Sequence, residues 1–243
     1  MTVDLGTYRA VLFDLDGVIT PTAEVHMRAW AQMFNDFLGT REGQEPYSDT
    51  DYFEHVDGKP RYDGVRDFLT SRGISLPDGT PEDPSDQAAG EETVCGLGNR
   101  KNDVFGEVLR REGVAAYPGS KQLLDQLREQ GMPMAIVSSS KNAPDVLEAA
   151  GVSEYFSFVM HGGVAVERGL QGKPAPDTFQ EAARELGVPD AECGVFEDAI
   201  NGVIAGAAGG FALVIGVDRG AGHEALTQAG ADVVVADLAE LVR

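Results

Sequence analysis

Residues 11–20 read VLFDLDGVIT, an apolar run (Val11, Leu12, Phe13) that breaks into two carboxylates and a glycine, Asp14, Asp16 and Gly17. Continuous apolar residues, Ala10 included, predict a strand buried on both faces rather than one face of a solvated hairpin. Both acids then stand at the strand's carboxyl end, where open α/β sheets bind ligands. An Asp-Gly turn with a helix cap would account for Asp16-Gly17. It gives no reason for Asp14, which would be desolvated beside a second acid.

From Tyr117 onward the chain alternates helices and strands. Helices are predicted over 120–130, 143–150, 177–186 and 203–208, and strands over 134–137, 156–160, 194–196, 212–215 and 232–235. That alternation implies right-handed crossovers and a parallel sheet. Between the first strand and this region, Val25, Ala29, Trp30, Met33, Phe34 and Phe37 keep helical spacing, and Val104–Leu109 has the same character. The expected architecture is therefore a Rossmann-like α/β core of residues 1–20 plus 115–243, interrupted by an inserted helical domain of residues 21–114. Within the insert, residues 76–92 (LPDGTPEDPSDQAAGEE) read as an exposed acidic loop without a role.

Composition narrows the function. The chain has 243 residues with 40 acidic against 19 basic, a formal charge of −21. Such a surface repels nucleic-acid backbones and anionic lipid, so neither is an expected partner. The two cysteines, Cys95 and Cys193, have no CxxC partner and indicate neither a disulfide framework nor a zinc site. No apolar segment reaches spanning length and no secretory leader opens the chain, so a cytoplasmic protein is expected, and its self-contained core predicts a monomer.

The strand ends collect a complementary set of side chains. The first strand supplies Asp14 and Asp16; the second supplies Ser138, followed by Ser139, Ser140, Lys141 and Asn142; a loop supplies Lys173; and a later strand supplies Glu197 and Asp198. Four carboxylates in one crevice require a cation, and oxygen-only ligands select a hard one such as Mg²⁺. The hydroxyls, amide and backbone N–H groups of Ser138 to Asn142 form a phosphate cradle at a helix start. Each piece alone has a plain alternative, a strand-end cap or a solvated turn. Their joint order along one sheet edge does not.

With these segments in view, the chain resembles the phosphotransferases of the haloacid dehalogenase superfamily, and within them the β-phosphoglucomutase-like branch. The superfamily motifs appear as DLDGVIT (14–20), VSSSKN (137–142), KPAPDTF (173–179) and FEDAINGV (196–203); the branch adds TAEVHMRAW (22–30) and RKND (100–103). The resemblance implies Asp14 as nucleophile, Asp16 as general acid and base, and Ser138 and Lys173 on the transferring phosphate. It implies Mg²⁺ on Asp14, the Asp16 carbonyl, Glu197 and Asp198. The insert would be a mobile cap, with His26 positioning Asp16, and Trp30, Lys101 and Arg61 meeting a small phosphorylated sugar, Arg61 on a second phosphate. Gly17, Ser139, Ser140, Lys141 and Asn142 would complete the substrate contacts. The reaction implied is the interconversion of β-glucose 1-phosphate and glucose 6-phosphate through an aspartyl-phosphate and a bisphosphate. The alternative is hydrolysis of a sugar phosphate by the same two acids. A phosphorylated receiver domain is disfavoured by the large helical insert and by the early strand that carries Asp14.

Overall fold

The computed structural model describes residues 3–86 and 92–243; positions 87–91 of the acidic loop and the first two residues of the lead-in lie outside the described residues. In chain order the helices are α1 (Thr22–Leu38), α2 (Asp49–Asp51), α3 (Arg61–Ser71), α4 (Val94–Glu112), α5 (Pro118–Glu129), α6 (Ala143–Ala149), α7 (Gly162–Glu167), α8 (Asp177–Leu186), α9 (Ile200–Ala208) and α10 (His223–Ala229). The strands are β1 (Ala10–Phe13), β2 (Met134–Val137), β3 (Phe158–Met160), β4 (Cys193–Glu197), β5 (Leu213–Val217) and β6 (Val233–Val235). The chain forms two compact units, Met1–Thr22 with Val114–Arg243, and Ala23–Gly113.

The first unit is an α/β fold around one six-stranded sheet in the order β3-β2-β1-β4-β5-β6, every pair parallel. β1, β2, β4 and β5 are buried along their whole length, which is why each reads as an apolar run. On α5, Leu123, Leu124 and Leu127 make one buried stripe, and on α8 Phe179, Ala182 and Ala183 do the same at i, i+3, i+4. Leu12, Val137, Phe179, Val195, Val203 and Val214 belong to one continuous core. Each large apolar side chain buried there stabilises the fold by about 1.5–3 kcal/mol. Gly206 lets α9 settle onto the sheet, since a Cβ there would stand 3.2 Å from Val195 and 3.3 Å from Val214. The strand order reverses between β1 and β4, which opens a crevice at the centre of the carboxyl edge.

The second unit has its own core. Trp30, Phe34 and Phe37 of α1 pack with Tyr47, Tyr52, Phe68 and Leu97. Phe34 lies at the centre, its ring 4.1 Å from Phe68, 5.0 Å from Tyr47 and 5.3 Å from Trp30. Two elements here go beyond the periodicity reading: α3, whose buried face is only Gly64, Val65, Phe68 and Leu69, and a π-helical turn over Tyr52–Val56. Among the described residues, no helix is long and apolar enough to cross a membrane.

Candidate active site

Strand register sets out the site. Phe13 of β1 pairs with Ile136 on one side and Phe196 on the other, so the next residues, Val137, Asp14 and Glu197, form one row across three strands. Asp14 is anchored in that row by its N–H, which donates to Phe196 O at 2.9 Å. The Lys173 ammonium spans the row: it donates to Asp14 Oδ1 at 2.5 Å, to Val137 O at 2.9 Å and to Glu197 Oε1. Lys173 is 3% exposed and Glu197 0%, so the contacts are desolvated. The other Glu197 oxygen accepts from Ala199 N–H at 2.9 Å. Gly202 leaves room for this carboxylate, because a Cβ there would overlap it.

After Asp14 the backbone closes on itself, with Ile19 N–H and Thr20 N–H both donating to Leu15 O at 3.0 Å and Gly17 N–H donating to Thr20 O at 2.7 Å. Gly17 has φ +88°, and a Cβ on it would run into the Asp198 carboxylate. The glycine thus brings the Asp198 acid against the Asp14–Gly17 turn. Asp16 is half-buried and held differently from Asp14: Thr22 donates to its Oδ1, and Ser138 Oγ lies 3.5 Å from its Oδ2. Thr22 is itself bonded to the Thr20 hydroxyl at 2.7 Å. In the cradle, Ser140 N–H donates to Ser138 Oγ at 3.1 Å and Asn142 N–H to Ser140 Oγ at 3.1 Å, while Ser139 is half-buried and Lys141 exposed.

The electrostatics follow from burial. Desolvation holds the Asp14 carboxyl well above the usual carboxylate range, reinforced by Glu197 and Asp16 and opposed by Lys173. For Lys173 burial acts against the charge, but Asp14 and Glu197 outweigh it and hold the ammonium protonated beyond its ordinary range. One lysine against the acids at positions 14, 16, 197 and 198 leaves surplus negative charge in a buried place. A hard divalent ion would relieve that surplus. Among the described residues no three His, Cys, Asp or Glu side chains form a ready-made cage. Mg²⁺ does not need one, since it keeps several waters and binds through one or two carboxylates and substrate phosphate. The donor set fits it through Asp14, Asp198 and the Asp16 carbonyl; both Glu197 oxygens already have partners here, although Glu197 was expected among the ligands.

The second unit carries the remaining expected residues. His26 Nδ1 and Lys101 Nζ are hydrogen-bonded, and the His26 ring stacks on Phe105 with centroids 4.1 Å apart. The buried Lys101 ammonium also lies 4.8 Å from the Trp30 ring centre. Arg61 donates to Asn102 Oδ1 at 2.7 Å and to Asn99 Oδ1 at 3.5 Å. Burial draws its pKa down, partly offset by Tyr62. The sequence reading missed Thr22, the Val137 carbonyl and Asn99. Thr22 sits inside a quoted segment, but backbone carbonyls and helix-to-helix amide contacts have no signature in residue types.

A family model described as haloacid dehalogenase-like hydrolase matches residues 8–210. A β-phosphoglucomutase of Mycobacterium bovis is 47% identical over 243 residues, spanning 96% of this chain and 91% of the relative. A β-phosphoglucomutase of Bacillus subtilis is 33% identical, over 96% of this chain and 91% of its own. Among solved structures, a β-phosphoglucomutase from Clostridium difficile superposes with a TM-score of 0.75 at 26% identity, covering 96% of this chain and 93% of that one.

Proposed function

Because this chain belongs to the haloacid dehalogenase-like hydrolase family of enzymes, we propose that it is a Mg²⁺-dependent phosphomutase interconverting β-glucose 1-phosphate and glucose 6-phosphate. The observation that carries the reading is the different holding of two acids one residue apart. Asp14 is buried against a lysine, and Asp16 is half-buried against the Thr22 and Ser138 hydroxyls. The first environment suits a carboxylate fixed in line with a phosphorus atom. The second suits one that exchanges a proton with the sugar oxygen.

In the forward half-reaction a bond forms between an Asp14 oxygen and phosphorus, the bond from phosphorus to the donor oxygen breaks, and Asp16 gives that oxygen its proton. In the return half, the accepting sugar oxygen bonds to phosphorus as the bond from phosphorus to Asp14 breaks, and Asp16 takes the proton that this hydroxyl gives up. Lys173 and Ser138 bind the equatorial oxygens of the transferring group, with Ser139, Ser140, Lys141 and Asn142 beside them. Mg²⁺, held by Asp14, Asp198 and the Asp16 carbonyl, would supply charge neutralisation between nucleophile and phosphate.

We place the core at 1–20 plus 115–243 and assign the inserted helical domain, 21–114, as the cap. Its His26 positions Asp16, its Trp30 and Lys101 meet the sugar, and its Arg61 takes the phosphate that is not being transferred. Closure of such a domain excludes water, which separates a mutase from a hydrolase. The protein acts as a monomer in the cytoplasm; its acidic composition agrees with a partner that is small rather than polymeric.

The test adds β-glucose 1-phosphate and Mg²⁺ to the pure protein, with and without a trace of glucose 1,6-bisphosphate, and follows glucose 6-phosphate and inorganic phosphate together. Primer-dependent accumulation of glucose 6-phosphate is the expected result. Phosphate release without isomerisation would make the chain a sugar-phosphate hydrolase.

A further inference from the structure

The segment from Leu76 to Asp86, an acidic connection in the sequence, is built into the second unit. Pro77 O accepts from Val94 N–H and Asp78 O from Cys95 N–H, each at 3.0 Å, which lays the segment along the start of α4. The Asp83 carboxylate then accepts from Thr80 Oγ1 at 3.0 Å and from Thr93 Oγ1 at 2.6 Å, pinning the 80–83 turn to the residue that caps α4. The turn presents two carbonyls to one side chain: Asn99 Nδ2 donates to Pro81 O at 3.0 Å and to Asp83 O at 2.8 Å.

A primary amide has a donor end and an acceptor end, so those two bonds decide which way Asn99 faces. Its Oδ1 points to α3, where it accepts from Tyr62 Oη at 2.9 Å and from Arg61 Nη1 at 3.5 Å. The flipped amide would set an oxygen against two carbonyl oxygens and an NH₂ against a guanidinium. Arg61 is thereby oriented by the neutral amide oxygens of Asn99 and Asn102. Neutral acceptors direct a guanidinium without cancelling its charge, which a carboxylate in the same place would do.

We infer that Asn99, held by the 80–83 turn, is a positioning residue that aims Arg61 at the non-transferring phosphate, so that this turn tunes selectivity for bisphosphate. This rests on the reading of Arg61 given under the proposed function.

The experiment compares glucose 1,6-bisphosphate with acetyl phosphate, a phosphoryl donor that has no second phosphate, using the full chain and the variants Arg61→Ala, Asn99→Ala, Asn99→Asp and Asp83→Ala. Loss of an oriented charge-assisted contact corresponds to about tenfold or more in affinity. Asn99→Ala, the near-isosteric Asn99→Asp and Asp83→Ala are each expected to raise the bisphosphate KM about tenfold with kcat within about twofold. Asp83→Ala is expected to keep its rate of phosphorylation by acetyl phosphate within about twofold, a split that general loosening of the fold would not produce. If Arg61→Ala raises the bisphosphate KM but none of the Asn99 and Asp83 variants does, or if they slow both donors alike, the positioning role is overturned. A bisphosphate KM unmoved by Arg61→Ala removes Arg61 from the site and this inference with it.

Discussion

Lys173 answers to two demands at once, since its ammonium is both the countercharge of Asp14, the proposed nucleophile, and a buried structural ion. Its acceptors Asp14, Val137 and Glu197 lie in one row of the sheet, so a single side chain joins β2, β1 and β4 at their carboxyl ends. Removing one partner of a buried ion pair costs far more than the pair contributes relative to an apolar replacement, because the remaining charge stays desolvated. Lys173→Met would leave two buried carboxylates facing each other. It should abolish turnover and lower unfolding stability by about 3–5 kcal/mol, read from urea midpoints of metal-free protein. Adding Glu197→Gln to that variant should return part of the stability and none of the activity. A single variant as stable as the parent would show that the two acids are neutral without the lysine.

Elements that end at the candidate site are among those legible beforehand. β1, β2 and β4 are buried on both faces, so each is an unbroken apolar run whose first polar residues, Asp14, Ser138 and Glu197, are residues of the candidate site. The parallel sheet and the helical insert followed from the same patterning. Elements carrying few apolar residues were hidden: α3 has four buried positions within RYDGVRDFLTS, and α7 opens on two glycines. What no pattern reveals is the partner of a polar group across a fold, such as Asn99 with the 80–83 turn. The 45–52 segment shows the same limit and can be tested. Asp51 completes a capping box with Ser48, and its Oδ2 accepts from Arg72 Nη2 at 2.7 Å, while Arg72 also donates to Glu45 O at 2.9 Å. Burial raises the Asp51 pKa, but the Ser48 and Arg72 contacts outweigh it and the net shift is downward. A carboxyl whose folded pKa is lowered stabilises above its unfolded pKa, near 3.9, and loses that contribution as pH falls through the folded value. Asp51→Asn should therefore be about 1 kcal/mol less stable than the parent at pH 7, the two converging as pH drops below about 4. A difference that persists unchanged at low pH would assign the effect to packing instead of charge.

For the whole molecule the decisive quantity is a formal charge of −21 on an enzyme whose proposed substrate is an anion. Much of the positive charge is tied up locally: Arg9 pairs with Glu192, Arg28 with Glu112, Arg66 with Asp63 and Asp78, and Arg168 with Glu181 and Glu185. On the proposed function, a phosphorylated sugar would approach through a repulsive far field and be captured only at close range, by groups such as Lys173 and Arg61. The two ranges respond differently to salt. Raising ionic strength from about 0.01 to 0.1 M shortens the Debye length from about 30 to about 10 Å, which removes most of the long-range repulsion but little of a contact at hydrogen-bond distance. Encounter should accelerate while the bound state stays much the same. At saturating Mg²⁺, kcat/KM for β-glucose 1-phosphate should accordingly rise about two- to fivefold over that range of potassium chloride, with kcat nearly constant. The opposite slope, kcat/KM falling steadily with salt, would mean that the local cations govern the field at the entrance and that the surface charge serves solubility alone.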